Sequence, residues 1–398
     1  MKLSTRPFLA VYVAWHPRFS GGQAIATALY EHYRRNLYEN VAGGAGLSVV
    51  YRNTPAPHMA VPIGIDFDEA ETSAIILLID RRCADDPAWV EWSRELAGRA
   101  LASGLRAVIF PVWIDGRAIK LGLTQQAVRW DQWARLRREK RMRRLVSQLT
   151  YQLCRMLRLY LERLKRLAEG EEALRQYLQK VEIFLSHSKH PRNGDGERIA
   201  GLFREHLFKD VGDSLTSFFD VHDIPAGAAF DDVLRLKVKT SAVVAIHTDT
   251  YSSREWCRRE MIEAKRWNVP LVVADCISNL DERSFPYLGN APLVRMEPKR
   301  ATGRIDYVVS LLFDEVLKDF LWRCRVQMAA NAGVTGTLFL SRPPELISLA
   351  GLRESGVMAD ATLVYPDPPI GAEETRLFEL VAPEVRLRSI TEWLAEVR

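Results

Sequence analysis

One pattern, written twice, constrains this chain more than any other feature. The apolar run FLAVYVAW (8–15) is followed by His16-Pro17-Arg18, then Ile25-Ala26, then Glu31-His32. The run VEIFLSHS (181–188) is followed by His190-Pro191-Arg192, Ile199-Ala200 and Glu205-His206, at a constant offset of 174 residues. Self-similarity of this kind marks a duplicated structural unit. Further along, the run 73–79 matches 241–246, Trp89 and Trp92 fall where Trp256 falls, and AVIFPVWI (107–114) matches PLVVADCI (270–277). Each copy alternates apolar runs with helical segments. The runs are continuous rather than alternating, as strands of a parallel sheet covered on both faces must be.

In the second copy this reading places strands near 181–187, 215–220, 241–247, 269–275 and 291–296. Helices are expected near 195–209, 229–239, 253–267 and 303–325. With right-handed crossovers, the fold class is α/β, with two flavodoxin-like doubly wound parallel-sheet domains plus a small C-terminal αβ module. Ligands of such sheets bind outside the carboxyl ends of the strands. The loops after Leu185, Phe219 and Ile246 therefore matter most. The expected domains are 1–130, a basic helical connector at 131–180, a second αβ domain at 181–328, and the module at 329–398. In the module, 336–341 and 361–366 read as strands, and 343–355 and 373–380 as helices. About 65 residues bury little core alone, so docking on the preceding domains is expected.

Composition narrows the class. The chain has 398 residues, 47% hydrophobic and 26% charged, with net charge +5. No run of about 18 apolar residues occurs, so no membrane span is expected. Lys2 and Arg6 precede a short apolar stretch, but Trp15, His16 and Pro17 stand where a signal peptide needs small residues. A cytoplasmic protein is expected. Cys83, Cys154, Cys257, Cys276 and Cys324 are widely spaced, odd in number and without a CxxC pair, and so point to buried reduced thiols rather than disulfides or zinc. No metal is expected. The Arg- and Lys-rich segment 133–166 carries Leu145, Leu149, Leu153, Met156, Leu161 and Leu164 at helical spacing. It reads as an amphipathic helix with a solvated basic face, and nucleic acid is not an expected partner.

Three motifs carry chemistry. Phe184-Leu185-Ser186-His187-Ser188 ends the first strand of the second copy. Phe218-Phe219-Asp220-Val221-His222-Asp223-Ile224-Pro225-Ala226-Gly227 ends its second strand and enters a loop. Ser253-Arg254-Glu255-Trp256-Cys257-Arg258-Arg259-Glu260 opens the helix after its third. In order and spacing, residues 181–296 resemble the TIR (Toll/interleukin-1 receptor) domain family, and the first copy resembles it more weakly. The motifs resemble the family's strand-end box, its BB loop and its W-C-x-x-E signature. The resemblance implies an NAD⁺-cleaving site centred on Glu260, with NAD⁺ as substrate and no cofactor. It implies that the loop of Ser186, His187, Ser188 and Lys189 approaches the diphosphate and ribose. Asp220, Asp223 and Gly227 belong to the second box. Phe230 stands near the position where an aromatic meets the nicotinamide side, and Trp256 is a further contact candidate.

Chemistry gives Glu260 a task. The pyridinium of NAD⁺ leaves as neutral nicotinamide, so departure needs no general acid. Positive charge grows on the ribose, as in glycoside hydrolysis, and one carboxylate can stabilise it. Cys257 reads as a core residue, and Glu263 as a surface carboxylate one turn further on. The first copy lacks the signature. Position 93 is Ser and 96 is Leu, and 53–62 replaces the BB loop, so it reads as a non-catalytic TIR-like unit. Phe19-Ser20-Gly21-Gly22 meets neither phosphate-loop fingerprint.

The resemblance implies either of two roles. One is an NAD⁺ glycohydrolase or cyclase in antiphage defence, activated by homo-oligomeric or filamentous assembly, with an activator protein or nucleotide as trigger. The other is a non-enzymatic scaffold or signalling adaptor acting through TIR–TIR contacts.

Overall fold

The computed structural model describes residues 6–34, 44–166, 181–189, 194–209, 219–222, 238, 241–279, 285–354 and 361–396. Two compact units divide the chain, Leu3–Arg175 and, in the main, Gln176–Arg398.

The first unit runs β1 (Leu9–Trp15), α1 (Gly22–Tyr33), β2 (Ser48–Arg52), β3 (Thr72–Ile79), α2 (Arg81–Asp85), α3 (Pro87–Ala102), β4 (Ala107–Trp113) and α4 (Arg138–Lys165). Its parallel sheet has the order β2-β1-β3-β4. Every residue of β1 and β3 is buried, as continuous apolar runs require. Gly21 and Gly22 serve packing here. A Cβ on Gly21 would come within 2.7 Å of the Phe19 ring, and one on Gly22 would run into Trp15. Asp86 starts α3 by accepting from the Ala88 amide at 3.0 Å, with Pro87 in the first turn.

The basic segment expected as a connector contains α4, which packs within the first unit. Leu145, Leu149, Leu153, Met156 and Leu161 are buried, while Leu164 is half-buried. Tyr33 on α1 meets Thr150 of α4 at 3.2 Å, and Tyr160 stands edge-on to Phe8 at 5.4 Å. The apolar stripe thus packs on the first unit.

The second unit contains β5 (Val181–His187), α5 (Asp195–Lys209), β6 (Phe219–His222), β7 (Ser241–His247), α6 (Glu255–Arg266), β8 (Leu271–Asp275), β9 (Leu293–Arg295) and α7 (Ile305–Asn331). All five strands are parallel in the order β6-β5-β7-β8-β9. That is the flavodoxin-like order, whose direction of winding reverses between β5 and β7. The expected helix at 229–239 lies almost wholly outside the described residues.

The C-terminal module follows with β10 (Thr337–Phe339), α8 (Leu346–Glu354), β11 (Thr362–Tyr365), α9 (Ala372–Val381), β12 (Arg386–Ser389) and α10 (Ile390–Glu396). Its parallel sheet runs β10-β11-β12. Sequence reading missed β12 and α10, because arginines interrupt the apolar pattern of Arg386-Leu387-Arg388. The module closes on the end of α6. Lys265 Nζ donates to Glu345 at 2.7 Å and to the Gly289 carbonyl at 2.6 Å, and Ser341 donates to the Asn268 carbonyl at 3.0 Å.

Among the described residues, no helix is long and apolar enough to cross a membrane. All five cysteines are buried, and none is in a disulfide.

Candidate functional site

The carboxyl edge of the second sheet is built from short-range turns. After β7 the chain winds tightly. The Tyr251 amide donates to the Thr248 carbonyl at 2.8 Å, and the Arg254 amide to the Tyr251 carbonyl at 3.1 Å. This turn launches α6 and aims Tyr251 back under the sheet edge, where it is fully buried. On the neighbouring strand, Ser186 pairs in register with Ala245 near the carboxyl end of β5.

Glu260 sits in the second turn of α6 and is 8% exposed. A buried carboxylate is costly unless donors satisfy it. Ser186 Oγ donates to Glu260 Oε2. The Tyr251 hydroxyl lies 2.6 Å from the same Ser186 oxygen. A serine has one proton to give. With that proton on Glu260, the serine oxygen accepts from the phenol, and the chain of donation runs Tyr251 to Ser186 to Glu260. Burial, with the neighbouring Cys257 and Glu260 adding to it, pushes the Tyr251 phenol well above its ordinary range. It therefore remains a donor. Three elements thus converge on one carboxylate where β5 meets β7, the switch point of the winding.

The remaining expected residues divide. Ser188 shares a hydrogen bond with Thr250 at 2.9 Å, which ties the loop after β5 to the turn after β7. A Cβ on Gly196 would strike the Ser188 carbonyl, so α5 approaches this loop closely. His187 turns Nδ1 to the Leu185 carbonyl at 3.0 Å, which places the proton on Nδ1. Lys189 is exposed beside Ser188. Asp220 lies on β6, in register with Glu182. Asp223, Gly227 and Phe230 fall outside the described residues. Trp256 is 48% exposed, and the Arg259 guanidinium lies 5.0 Å from its ring centre.

Two neighbours of Glu260 have other tasks. Cys257 is buried, and burial together with Glu260 pushes its thiol up, so it packs as a small apolar group. Glu263 corrects the sequence reading, because it is buried rather than at the surface. Its carboxylate accepts from the Trp267 indole at 3.0 Å and from Arg266 at 3.4 Å, partners three and four residues along the helix that cover it.

No family model matches the chain, and no curated protein does. Solved structures similar to it include PH0766 from Pyrococcus horikoshii OT3, at 13% identity and TM-score 0.25, covering 84% of this chain and 67% of that one. Tagatose-6-phosphate ketose/aldose isomerase from Escherichia coli overlaps at 11% identity and TM-score 0.20, covering 84% of this chain and 85% of its own. Overlaps this slight carry no argument about function.

A second polar row, unforeseen in the sequence, lines the ends of β7, β8 and β9. His247 Nε2 meets Ser252 at 3.2 Å, its Nδ1 lies 3.4 Å from Asp275, and Arg295 binds Asp275 at 2.5 Å. Its members span 48 residues from His247 to Arg295, and Tyr251 is 65 from Ser186. No local motif links such residues. The only available signal was the place of His247, Asp275 and Arg295 at the end of an apolar run, and Ser252 and Tyr251 lacked even that.

Proposed function

We propose that the second unit cleaves the nicotinamide–ribose bond of NAD⁺, with Glu260 as the stabilising carboxylate. One observation carries this reading. The Glu260 side chain turns toward the carboxyl edge of the sheet and is bonded to Ser186 at the β5–β7 switch, where doubly wound folds bind ligands. A carboxylate oriented by a donor and shielded from water stabilises growing positive charge more strongly than a solvated one. As the C1′–N bond breaks, its electron pair leaves with nicotinamide. Water then attacks C1′ to give ADP-ribose and a proton, or the substrate's own adenine attacks to give a cyclic product. Ser186 and Tyr251 act as positioning residues, holding the carboxylate in one orientation.

On this reading the protein is a cytoplasmic effector of antiphage defence that works as a homo-oligomer or filament. The first unit and the C-terminal module govern assembly or respond to an activating protein or nucleotide. The test is release of free nicotinamide from NAD⁺ by the full-length protein, dilute and in a crowded solution that favours assembly. Turnover that falls about 10²-fold or more in Glu260→Gln is expected. Turnover absent in every state would leave the adaptor reading, and turnover equal in the variant would remove Glu260 from its role.

A further inference from the structure

The C-terminal module carries a half-open cavity of about 380 Å³ between α8, α9 and β12, with Arg386 and Glu379 exposed at its rim. Its size lies in the range of small-molecule sites. Leu349 from α8 and Phe378 from α9 supply apolar wall. Thr375 and Glu379 of α9, with Arg386 and Arg388 of β12, supply polar groups. Arg388 is already committed, its Nε to Glu396 at 2.6 Å and its NH1 to the Leu387 carbonyl at 2.8 Å. Arg386 and Glu379 have no side-chain partner among the described residues, and no ion pair joins them although both line the same cavity. Opposite charges that face one space without meeting leave room for a ligand that offers each its complement. Of the two guanidinium groups, Arg388 is neutralised by Glu396, which leaves Arg386 to meet an anionic group and Glu379 to accept from hydroxyls.

We propose that this cavity is a binding site for a nucleoside monophosphate. The phosphate pairs with Arg386, since a guanidinium matches phosphate geometry. The base lies against Phe378 and Leu349, and the ribose hydroxyls donate to Glu379. An amino acid would also satisfy both charges, but it would leave much of this volume empty.

The cavity wall is mechanically joined to the helix of Glu260. Helix α8 carries Leu349 into the cavity, and Gly351 of the same helix lies against Arg266. A Cβ there would stand 3.1 Å from Arg266 Cγ. Glu345, just before α8, holds Lys265 of α6. A ligand that orders α8 therefore orders α6. Its effect on catalysis rests on the NAD⁺-cleavage reading, whereas the binding and the ordering do not.

Calorimetric titration of the full-length protein with AMP, GMP, CMP and UMP tests the site. Adenosine, inorganic phosphate and free phenylalanine serve as separate probes. At least one nucleotide is expected to bind below about 1 mM. Adenosine and phosphate alone should bind more weakly, and Arg386→Ala should weaken the nucleotide about tenfold or more. Hydrogen exchange across 255–266 should slow when the nucleotide is bound, and this slowing should be lost in Glu345→Gln while binding persists. No binding by any nucleotide, tighter binding of phenylalanine, or unchanged affinity in Arg386→Ala overturns the site. Unchanged exchange in α6 overturns the coupling, whatever the protein does with NAD⁺.

Discussion

The two sheet units share an order of strands and differ in what the helix after the third strand delivers to the carboxyl edge. In the first unit β1 ends in Val13-Ala14-Trp15, and α3 brings in Trp89, which is 0% exposed. The Trp89 ring lies 5.3 Å from His16, the residue following β1, and 5.3 Å from Trp92. Ser93 is buried one turn on. In the second unit the tryptophan of the corresponding helix faces outward, Cys257 takes the inner position, and Glu260 meets Ser186. The helix after the third strand brings an indole to one edge and a carboxylate held by a hydroxyl to the other. An indole contributes packing and stability. A buried carboxylate sacrifices stability for a charge that chemistry can use, so the same winding serves as a structural unit in one half and a candidate site in the other.

The largest effect that would sharpen this contrast is on stability. Trp89→Ala should cost about 3–5 kcal/mol, as expected for emptying a wholly buried aromatic site. The half-exposed Trp256→Ala should stay within roughly 1 kcal/mol. Denaturant melts of the two variants compare them directly, and equal losses would break the comparison.

Next in size is chemistry. Glu260→Gln should lower nicotinamide release on the order of 10²- to 10³-fold, the scale of losing a preorganised stabilising group. Glu91→Gln and Glu95→Gln, both exposed on α3, should leave it unchanged. A comparable loss from either α3 variant would relocate the site to the first unit.

A smaller effect is expected from Ser186→Ala, which leaves Glu260 without this donor and Tyr251 without an acceptor. It should destabilise the second unit by about 1–3 kcal/mol. Ser186→Thr, which keeps the hydroxyl, should recover part of both stability and turnover. Failure of threonine to recover either would deny the hydroxyl its role.

The smallest effect concerns acid. Glu315 on α7 binds Arg342, on the approach to α8, at 2.7 Å and Lys318 at 2.9 Å. Burial pushes its carboxyl up, but Arg342 and Lys318 together outweigh burial and hold it below its ordinary value of 4.5. Its contribution is therefore present above about pH 4.5 and lost as pH falls through the lower, folded value. Hydrogen exchange in α8 should rise below that pH in the native protein and much less in Glu315→Gln. Identical acid profiles would free the junction from this pair.

Much of the fold was legible because period and composition are local. The spans 181–187, 195–209 and 241–247 match β5, α5 and β7 residue for residue. The edge strand β12 was not, since a short strand half exposed to solvent accepts arginine and hides its period. For the site, the W-C-x-x-E spacing singled out Glu260, and the strand-end box singled out Ser186. Neither indicated that the two touch. Tyr251, their third partner, was invisible, because tyrosine after a strand is common and its hydroxyl is given meaning only by where the turn aims it. Glu263 went the other way. On paper it resembled any exposed helix carboxylate, and only Trp267 and Arg266 folding over it made it buried.

The sequence alone determined that two doubly wound sheets would form, because continuous apolar runs separated by amphipathic segments can hide their backbone hydrogen-bonding groups in few other ways. The tertiary structure decided at which sheet edge a helix glutamate meets the strand ends. Whether a helix turns its tryptophan or its glutamate toward the strand ends depends on packing between residues some 70 apart, and no local period records that.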